Sequence, residues 1–390
     1  MESTLTAEVS ASAVRWNLAL LRHRLSGGAK LCAVVKADCY GHGLRALLGV
    51  VAAEADCLAV TTPDEALLLR KLGYCRPVLM FFSACAGADG AERREALGEL
   101  IARRVTLTVA AAAELSAVEE AAKRAGSPAA VHVKVDSGMG RSGVPDEELP
   151  ALVQEVRGCE GVKLSGIYSH FATADETDKQ SARQQFARFR AAVQAAGGGA
   201  GLTLHVANSA ATIDLAETHL NMVRPGIAIY GYQPSDTMTN RLPLRPALRL
   251  VGRLMQVKNL PAGSHCGYGW TCTLRRDSRV GLVPVGYADG YLRSFSNRAT
   301  MRVGGLRQAQ PALSESKGGR DVPVCGRVSM DQVIIDLTDA PSARVGDEVE
   351  IISADPAAPH SVENLARLAG TIPYEITCRL GQRVRRVLVD

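Results

Sequence analysis

A lysine ends an apolar run in "LCAVVKADCYGHG", with a glycine-flanked turn behind it. An ammonium where a buried strand emerges is costly unless it is paired or put to use. Burial lowers a lysine's pKa and frees its amine, so Lys36 is a candidate Schiff-base nucleophile. A lysine snorkelling to the surface is the bland alternative. Other polar side chains cluster around later apolar runs. "YSHFATAD" places His170 just past one run, "LHVANSAAT" places Asn208 and Ser209 just past another, and "MVRPGIAIYG" places Arg224, Pro225 and Gly226 just before a third. A serine hydroxyl and free backbone N–H groups near Gly226 would suit a phosphate. Singly, each of these residues reads as a satisfied structural polar group. Together on one face they do not, and a lysine imine beside a phosphate cradle points to pyridoxal 5′-phosphate (PLP).

The elements that must position these groups are short apolar runs alternating with stretches of helical period. The strand candidates are 31–35, 57–60, 78–82, 105–109, 130–135, 164–169, 202–206 and 227–231. Eight is the number that closes a parallel barrel, with catalytic groups at the strand C-termini and a phosphate site near the last two strands. The runs are apolar along their length, as strands buried on both faces should be. An open doubly wound sheet stays available as the alternative. One helix is well marked. In "TTPDEALLLRKLG", Thr62 caps, Pro63 suits the first turn, Glu65 completes a capping box, Lys71 lies in the last turn and Gly73 ends it.

Past about residue 235 helical periodicity fades into Val/Arg/Gly/Pro-rich segments that read as short strands with tight turns. The expected organisation is an α/β barrel over 11–235 and a mostly-β C-terminal domain over 236–390, with residues 1–10 pairing with the second. "LRQAQPALSESKGGRD" (306–321) reads as an inserted, exposed hairpin loop, and "SVENLARLAG" as a last helix capped by Ser361 and stopped by Gly370. The charge balance, 45 basic against 40 acidic residues, is too even to argue for nucleic acid. No window suits a membrane span, and "MESTLTAEVS" is not a secretory signal. The ten cysteines show no C-x-x-C and no zinc spacing. These features predict a reduced, cytoplasmic chain with no structural metal.

"VHVKVDSGMGRSG" spells G-x-G-x-x-G through Gly138, Gly140 and Gly143, the spelling of a dinucleotide turn. It follows the fifth strand candidate rather than opening a βαβ unit, and Pro145 and Asp146 place the helix start beyond the third glycine. The glycines are therefore read as a tight mount for Arg141.

In order along nearly the whole chain, "AVVKADCYGHG", "DSGMGRSG", "SHFATAD", "NSAA", "VRPGIAIYG", "GYGWT", "VPVGYADGY", "GRVSMDQ" and "IPYEITCRLGQRV" resemble the segments of the bacterial alanine racemase family. The resemblance implies a (β/α)8 barrel followed by a β domain, PLP on a lysine, and a head-to-tail homodimer with shared active sites. It implies interconversion of L- and D-alanine, supplying D-alanine for peptidoglycan. A serine or broader-specificity racemase on the same scaffold is the alternative, and a non-catalytic PLP-binding barrel is opposed by the C-terminal domain. Carried over by motif, Lys36 would be the base on the D-alanine side and the partner chain's Tyr268 the base on the L-alanine side, one per face of the substrate. A free phenol titrates near about 10, so the family reading has Arg224, acting through His170, supply positive charge. Tyr40, Ser209, Tyr374 and the Gly226–Ile227 backbone would hold the phosphate, with Asn208 beside them. Arg224 would face the pyridine nitrogen, where it donates without releasing a proton. Arg141 and the partner's Met330 N–H would hold the substrate carboxylate. Asp175, Tyr287, Arg293, Arg327 and Asp331 would support the entrance, and Lys134 is open to carbamylation. Ser329 stands where many members have cysteine.

Overall fold

The computed structural model describes residues 5–83, 91–304 and 319–390. An N-terminal strand, β1 (Leu5–Ser10), leads into helix α1 (Ala11–His23). The barrel strands follow: β2 (Lys30–Val34), β3 (Cys57–Val60), β4 (Val78–Ser83), β5 (Val105–Val109), β6 (Ala129–Asp136), β7 (Val162–Tyr168), β8 (Thr203–His205) and β9 (Met222–Val223). All pair in parallel, in the order β9-β2-β3-β4-β5-β6-β7-β8. Two backbone bonds bring the ends together, Asn221 N to Leu204 O at 3.1 Å and Arg224 N to Ala207 O at 2.9 Å. The result is a nearly closed eight-stranded barrel with helices packed around it, including α2 (Leu44–Glu54), α3 (Pro63–Lys71), α4 (Ala91–Ala102), α5 (Leu115–Ala125), α6 (Leu149–Gly158) and α7 (Gln180–Ala195). In α3 the Thr62 hydroxyl and the Glu65 carboxylate complete the expected capping box, and Gly73 follows in the left-handed region at φ 86°.

The eighth strand is not where the apolar run suggests. It is Met222–Val223, while Ile227–Tyr230 coils into a 3-10 turn with all four side chains buried. Pro225 lacks the N–H a ladder needs, and Gly231, at φ 96°, ends the turn. A continuous apolar run reports burial, not extension. Arg224, Pro225 and Gly226 therefore lie after the last strand rather than before it, at the same end of the barrel as Lys36.

The C-terminal region forms a nine-stranded sheet. Its strands are β10 (Leu248–Arg253), β11 (Gln256–Leu260), β14 (Ser278–Val283), β15 (Thr300–Val303), β16 (Arg320–Cys325), β17 (Val333–Asp336), β18 (Glu348–Ile352) and β19 (Arg385–Val389), joined by β1. A two-stranded hairpin, β12 (His265–Cys266) with β13 (Cys272–Thr273), stands apart. The strand β1 lies between β10 and β19. There Arg249 binds Glu8, Glu348 and Glu350 at 2.7, 2.5 and 2.8 Å, which ties β1 and β18 to β10. Most of the predicted 306–321 loop lies outside the described residues. Its end does not: Arg320 and Asp321 already belong to β16, opposite Val303 and Arg302, because the Arg302–Asp321 ion pair (2.8 Å) and the ladder hold them in line. Helices α9 (Val362–Ala369, capped by Ser361 and stopped by Gly370) and α10 (Pro373–Cys378) follow the sheet strands. Among the described residues nine cysteines are free thiols, and no helix is long and apolar enough to cross a membrane.

Candidate active site

Lys36 leaves β2 into an unusual turn. Ala37, Asp38, Cys39 and Tyr40 all have left-handed backbones, with φ of 50°, 53°, 57° and 54°. For non-glycine residues this costs about 1–2 kcal/mol each. Local bonds offset the cost: Cys39 N to Val35 O (3.0 Å), Gly41 N to Ala37 O (2.9 Å), Gly43 N to Asp38 O (2.8 Å) and Leu44 N to Asp38 Oδ1 (2.6 Å). The turn leaves Lys36 half-buried and Tyr40 buried. Burial lowers the Lys36 pKa, and the Arg141 charge lowers it further.

Tyr40 reaches the loop after β9. A Cβ on Gly226 would fall 2.2 Å from the Tyr40 hydroxyl, so only glycine admits that ring. The buried Ser209 hydroxyl, at the start of α8 (Ser209–Asp214), accepts the Gly226 N–H at 2.8 Å. Tyr374, on α10, has its ring 6.0 Å from that of Tyr40. Two phenols, a hydroxyl and a helix start thus converge from three segments. Asn208 does something more local, capping α8 through Oδ1 on Ala211 N at 3.0 Å. The Ile227 side chain is buried.

Arg224 is buried beneath the barrel mouth. Its Nη1 lies 2.6 Å from His205 Nδ1, and its Nη2 donates to Ser169 O at 2.8 Å and lies 3.3 Å from His170 Nδ1. His205 Nε2 in turn lies 2.8 Å from His132 Nδ1, and the Tyr168 ring stacks on His205 at 4.8 Å. Burial lowers the Arg224 pKa to about 10, so it keeps its charge at neutral pH. Burial and the Arg224 charge hold His170 and His205 well below their ordinary value, and His132 at about 4. Because a neutral imidazole must accept at the nitrogen facing a guanidinium, the proton of His170 sits on Nε2, free to donate away from Arg224.

The glycine-rich loop closes on its own carboxylate. Asp136 Oδ1 accepts from the N–H groups of Gly138 (3.0 Å), Met139 (2.8 Å) and Gly140 (3.1 Å), and Oδ2 from Arg141 N (3.0 Å). Burial opposes the Asp136 charge, but the four donors outweigh it and hold the carboxyl below its ordinary value. A nest that elsewhere takes a phosphate is thus filled from within. Gly143, at φ 121°, has no room for a side chain, since a Cβ would meet the Asp136 and Val135 backbone at 2.7 Å. Lys134 points along β6 to the Ser142 hydroxyl, and its amine is lowered to about 8 by burial and then by Arg141 and Arg224. Asp175 lies near Tyr374, which it helps, after burial, to hold above the usual phenol range.

The residues expected from the C-terminal domain sit differently. Tyr268 is 70% exposed, on the turn between β12 and β13, and neighbouring Trp270 is equally exposed. Met330 is 53% and Tyr287 44% exposed. Arg293, Arg327 and Asp331 are exposed as well. Arg327 packs its guanidinium over Gly269, where a Cβ would fall 2.8 Å from Nη1, and Asp331 pairs with Arg383 at 2.9 Å. Among the described interactions none joins this group to Lys36 within one protomer.

Two family models together span most of the chain, "Alanine racemase, N-terminal domain" over residues 9–234 and "Alanine racemase, C-terminal domain" over 247–388. The chain belongs to the alanine racemase family. Curated relatives agree: the alanine racemases of Desulfovibrio desulfuricans (38% identical over 98% of both chains) and Syntrophobacter fumaroxidans (37%, over 96% of this chain and 95% of the relative). Among solved structures, alanine racemase of Clostridium difficile 630 matches with TM-score 0.88 at 33% identity, covering all of this chain and 96% of that one. The enzyme from the D-cycloserine producer Streptomyces lavendulae matches with TM-score 0.87 at 34% identity, over 100% and 98%.

Within this alanine racemase-family chain, Lys36, Tyr40, Ser209, Arg224, Gly226, His170 and Tyr374 gather at one end of the barrel. Reading residues along the chain passed over Asp136, His132, His205 and the left-handed turn. A carboxylate directly before the glycine run was a signal for the first. The histidine pair carries none, since its members are 73 residues apart.

Proposed function

We propose that the chain interconverts L-alanine and D-alanine with PLP by a two-base mechanism. The observation that carries this reading is the convergence of Lys36 with the Tyr40–Gly226–Ser209 cradle. The donor set fits the cofactor: Tyr40, Ser209, Tyr374 and the Gly226–Ile227 backbone would take its phosphate, Asn208 would order the Ser209 turn, Lys36 would hold its carbonyl carbon, and Arg224 its ring nitrogen. When bound, PLP supplies an electron sink that acidifies the substrate α-proton.

Lys36 Nζ carries the proton on one face, and the Tyr268 hydroxyl of a second copy carries it on the other. Four large side chains of the β domain, Tyr268, Trp270, Tyr287 and Met330, stand exposed, which supports a homodimer, since exposed large apolar groups mark interaction surfaces. His170, with Nδ1 turned to Arg224, offers its Nε2–H to that phenol oxygen. Arg224, which keeps its proton at neutral pH, would donate at the ring nitrogen and so disfavour side reactions that need a protonated ring. Arg141, mounted by the Asp136 loop, and the partner's Met330 N–H orient the substrate carboxylate. Asp175, Tyr287, Arg293, Arg327 and Asp331 shape the entrance, and a carbamylated Lys134 orients Arg141. The barrel unit spans 11–235 and the β unit 236–390. The role is cytoplasmic supply of D-alanine for peptidoglycan.

The test is an absorbance spectrum of the purified protein with racemisation assays on L-alanine and L-serine. A PLP band lost in Lys36→Ala, with kcat/KM for alanine about tenfold or more above that for serine, is expected. Comparable efficiencies would replace the alanine assignment with a broad-specificity racemase, and a colourless, inactive protein would overturn it.

A further inference from the structure

We infer that Glu65 is a positioning residue for the Lys36 amine: from the first turn of α3 its carboxylate anchors the left-handed turn that follows the lysine. In an ordinary capping box the third-position Glu serves only its own helix, reaching back to the N-cap N–H. Here one oxygen does that. Glu65 Oε2 accepts from Thr61 N at 2.8 Å and Thr62 N at 3.1 Å. The other oxygen, Oε1, crosses to a different loop and accepts Ala37 N at 2.6 Å.

Ala37 is the residue after Lys36 and the first of the four left-handed residues. On the other side of the lysine, Val35 N is held by Ala59 O at 2.9 Å. Lys36 is therefore held at both neighbouring residues, once by a ladder bond from β3 and once by a charge-assisted bond from the helix that follows β3. Ala37 is exposed, so without Glu65 its N–H would turn to water and the strained turn would lose its outer restraint.

The same carboxylate acts on the amine. Burial and Arg141 push the Lys36 pKa down, while Glu65, with Cys378 beside it, pushes the other way. Lys134 and His170 feel the Lys36 charge as well, Asp38 and Tyr40 share its turn, and Arg224 lies against His170. Glu65 thus limits how far the amine is discharged while fixing where it points. The relevance to catalysis rests on the proposed racemase reading, but the anchoring does not.

The experiment compares Glu65→Gln with Thr62→Ala, which removes the acceptor of Glu65 N (3.3 Å) but spares the carboxylate. In cofactor-free protein, the pH dependence of Lys36 labelling by an amine reagent is read by peptide mass spectrometry. Glu65→Gln is expected to lower the labelling midpoint by about one pH unit. It should weaken PLP binding about tenfold to a hundredfold, as for loss of a charged hydrogen bond. Thr62→Ala should lower Tm and leave both readings unchanged. In the wild type, the exposed Ala37 amide should be protected from hydrogen exchange, which needs no variant to fold. Wild-type labelling and PLP affinity in Glu65→Gln, equal effects in Thr62→Ala, or random-coil exchange at Ala37 would each reduce Glu65 to a helix cap and overturn the inference. A wild-type chain that fails to racemise would instead sink the proposed function, while labelling and exchange still judge Glu65.

Discussion

Arg224 Nη1 lies 2.6 Å from His205 Nδ1, and every hydrogen-bond partner described for this buried guanidinium is neutral. An arginine matched to a carboxylate would have its field cancelled locally. Here two imidazoles and backbone carbonyls hold Nη1 and Nη2 while leaving the charge whole. The acceptor at His205 Nδ1 places that ring's proton on Nε2, which points to His132 Nδ1 at 2.8 Å. Arg224 is therefore oriented by a chain of two rings running back through the barrel.

Replacing His205 with Ala should strand an Arg224 donor in the interior. The expected cost is about 1–3 kcal/mol of stability and a fall in kcat larger than any rise in KM. Denaturant unfolding and steady-state kinetics measure both. Wild-type kcat in a destabilised variant would confine His205 to packing.

Tyr268→Phe should reduce racemisation in both directions by about 10²- to 10⁴-fold, the usual worth of a positioned proton carrier. PLP binding should be unchanged, because the residue lies outside the cradle. Exchange of the D-alanine α-proton with deuterium, catalysed from the Lys36 face, should survive without inversion. Loss of that exchange together with racemisation would contradict a two-base division.

Lys134 should take up CO2 as a carbamate. The reaction needs a neutral amine, and burial with Arg141 and Arg224 lowers this one to about 8. The adduct should grow as pH rises through 8 and fade below 7. A carbamate signal from ¹³C-bicarbonate in NMR, absent in Lys134→Met, would verify it. The same spectrum in both proteins would exclude this lysine.

Asp136→Ala should loosen the Arg141 mount and raise KM by about tenfold, since small displacements of a substrate clamp are costly. The pH dependence has a definite sign. Four N–H donors hold the folded carboxyl below its ordinary value of 3.8, despite burial. Its stabilisation is therefore complete above the unfolded-state value and is lost as pH falls through the lower folded one. The wild type should lose more stability than the variant on acidification below about pH 4. Parallel acid-unfolding curves would argue against the nest.

Much of the barrel was legible because buried parallel strands are apolar throughout and helix caps are local. The capping box of Thr62 and Glu65 is one example. The second role of Glu65, at Ala37, was not legible, because a carboxylate's spare oxygen carries no mark of where it will reach. The last strand was misplaced for a related reason. Burial makes Ile227–Tyr230 apolar whether it is extended or coiled, and Pro225 with Gly226 only hinted at the difference.

By itself the sequence determined which residue types border the apolar runs: an amine at 36, a hydroxyl at 209, a guanidinium at 224, and a phenol in a distant β segment. Those choices are local, written by alternating apolar runs and turn residues, and they named the chemistry. The tertiary structure alone decided the partners. It put neutral histidines rather than a carboxylate on Arg224, filled the glycine nest with Asp136, bent Ala37–Tyr40 into the left-handed region, and left Tyr268 facing outward. The Arg224 pairing depends on groups far apart in the chain meeting in a low-dielectric interior, where proximity sets charge and proton position. Residue spacing along the chain does not encode that proximity.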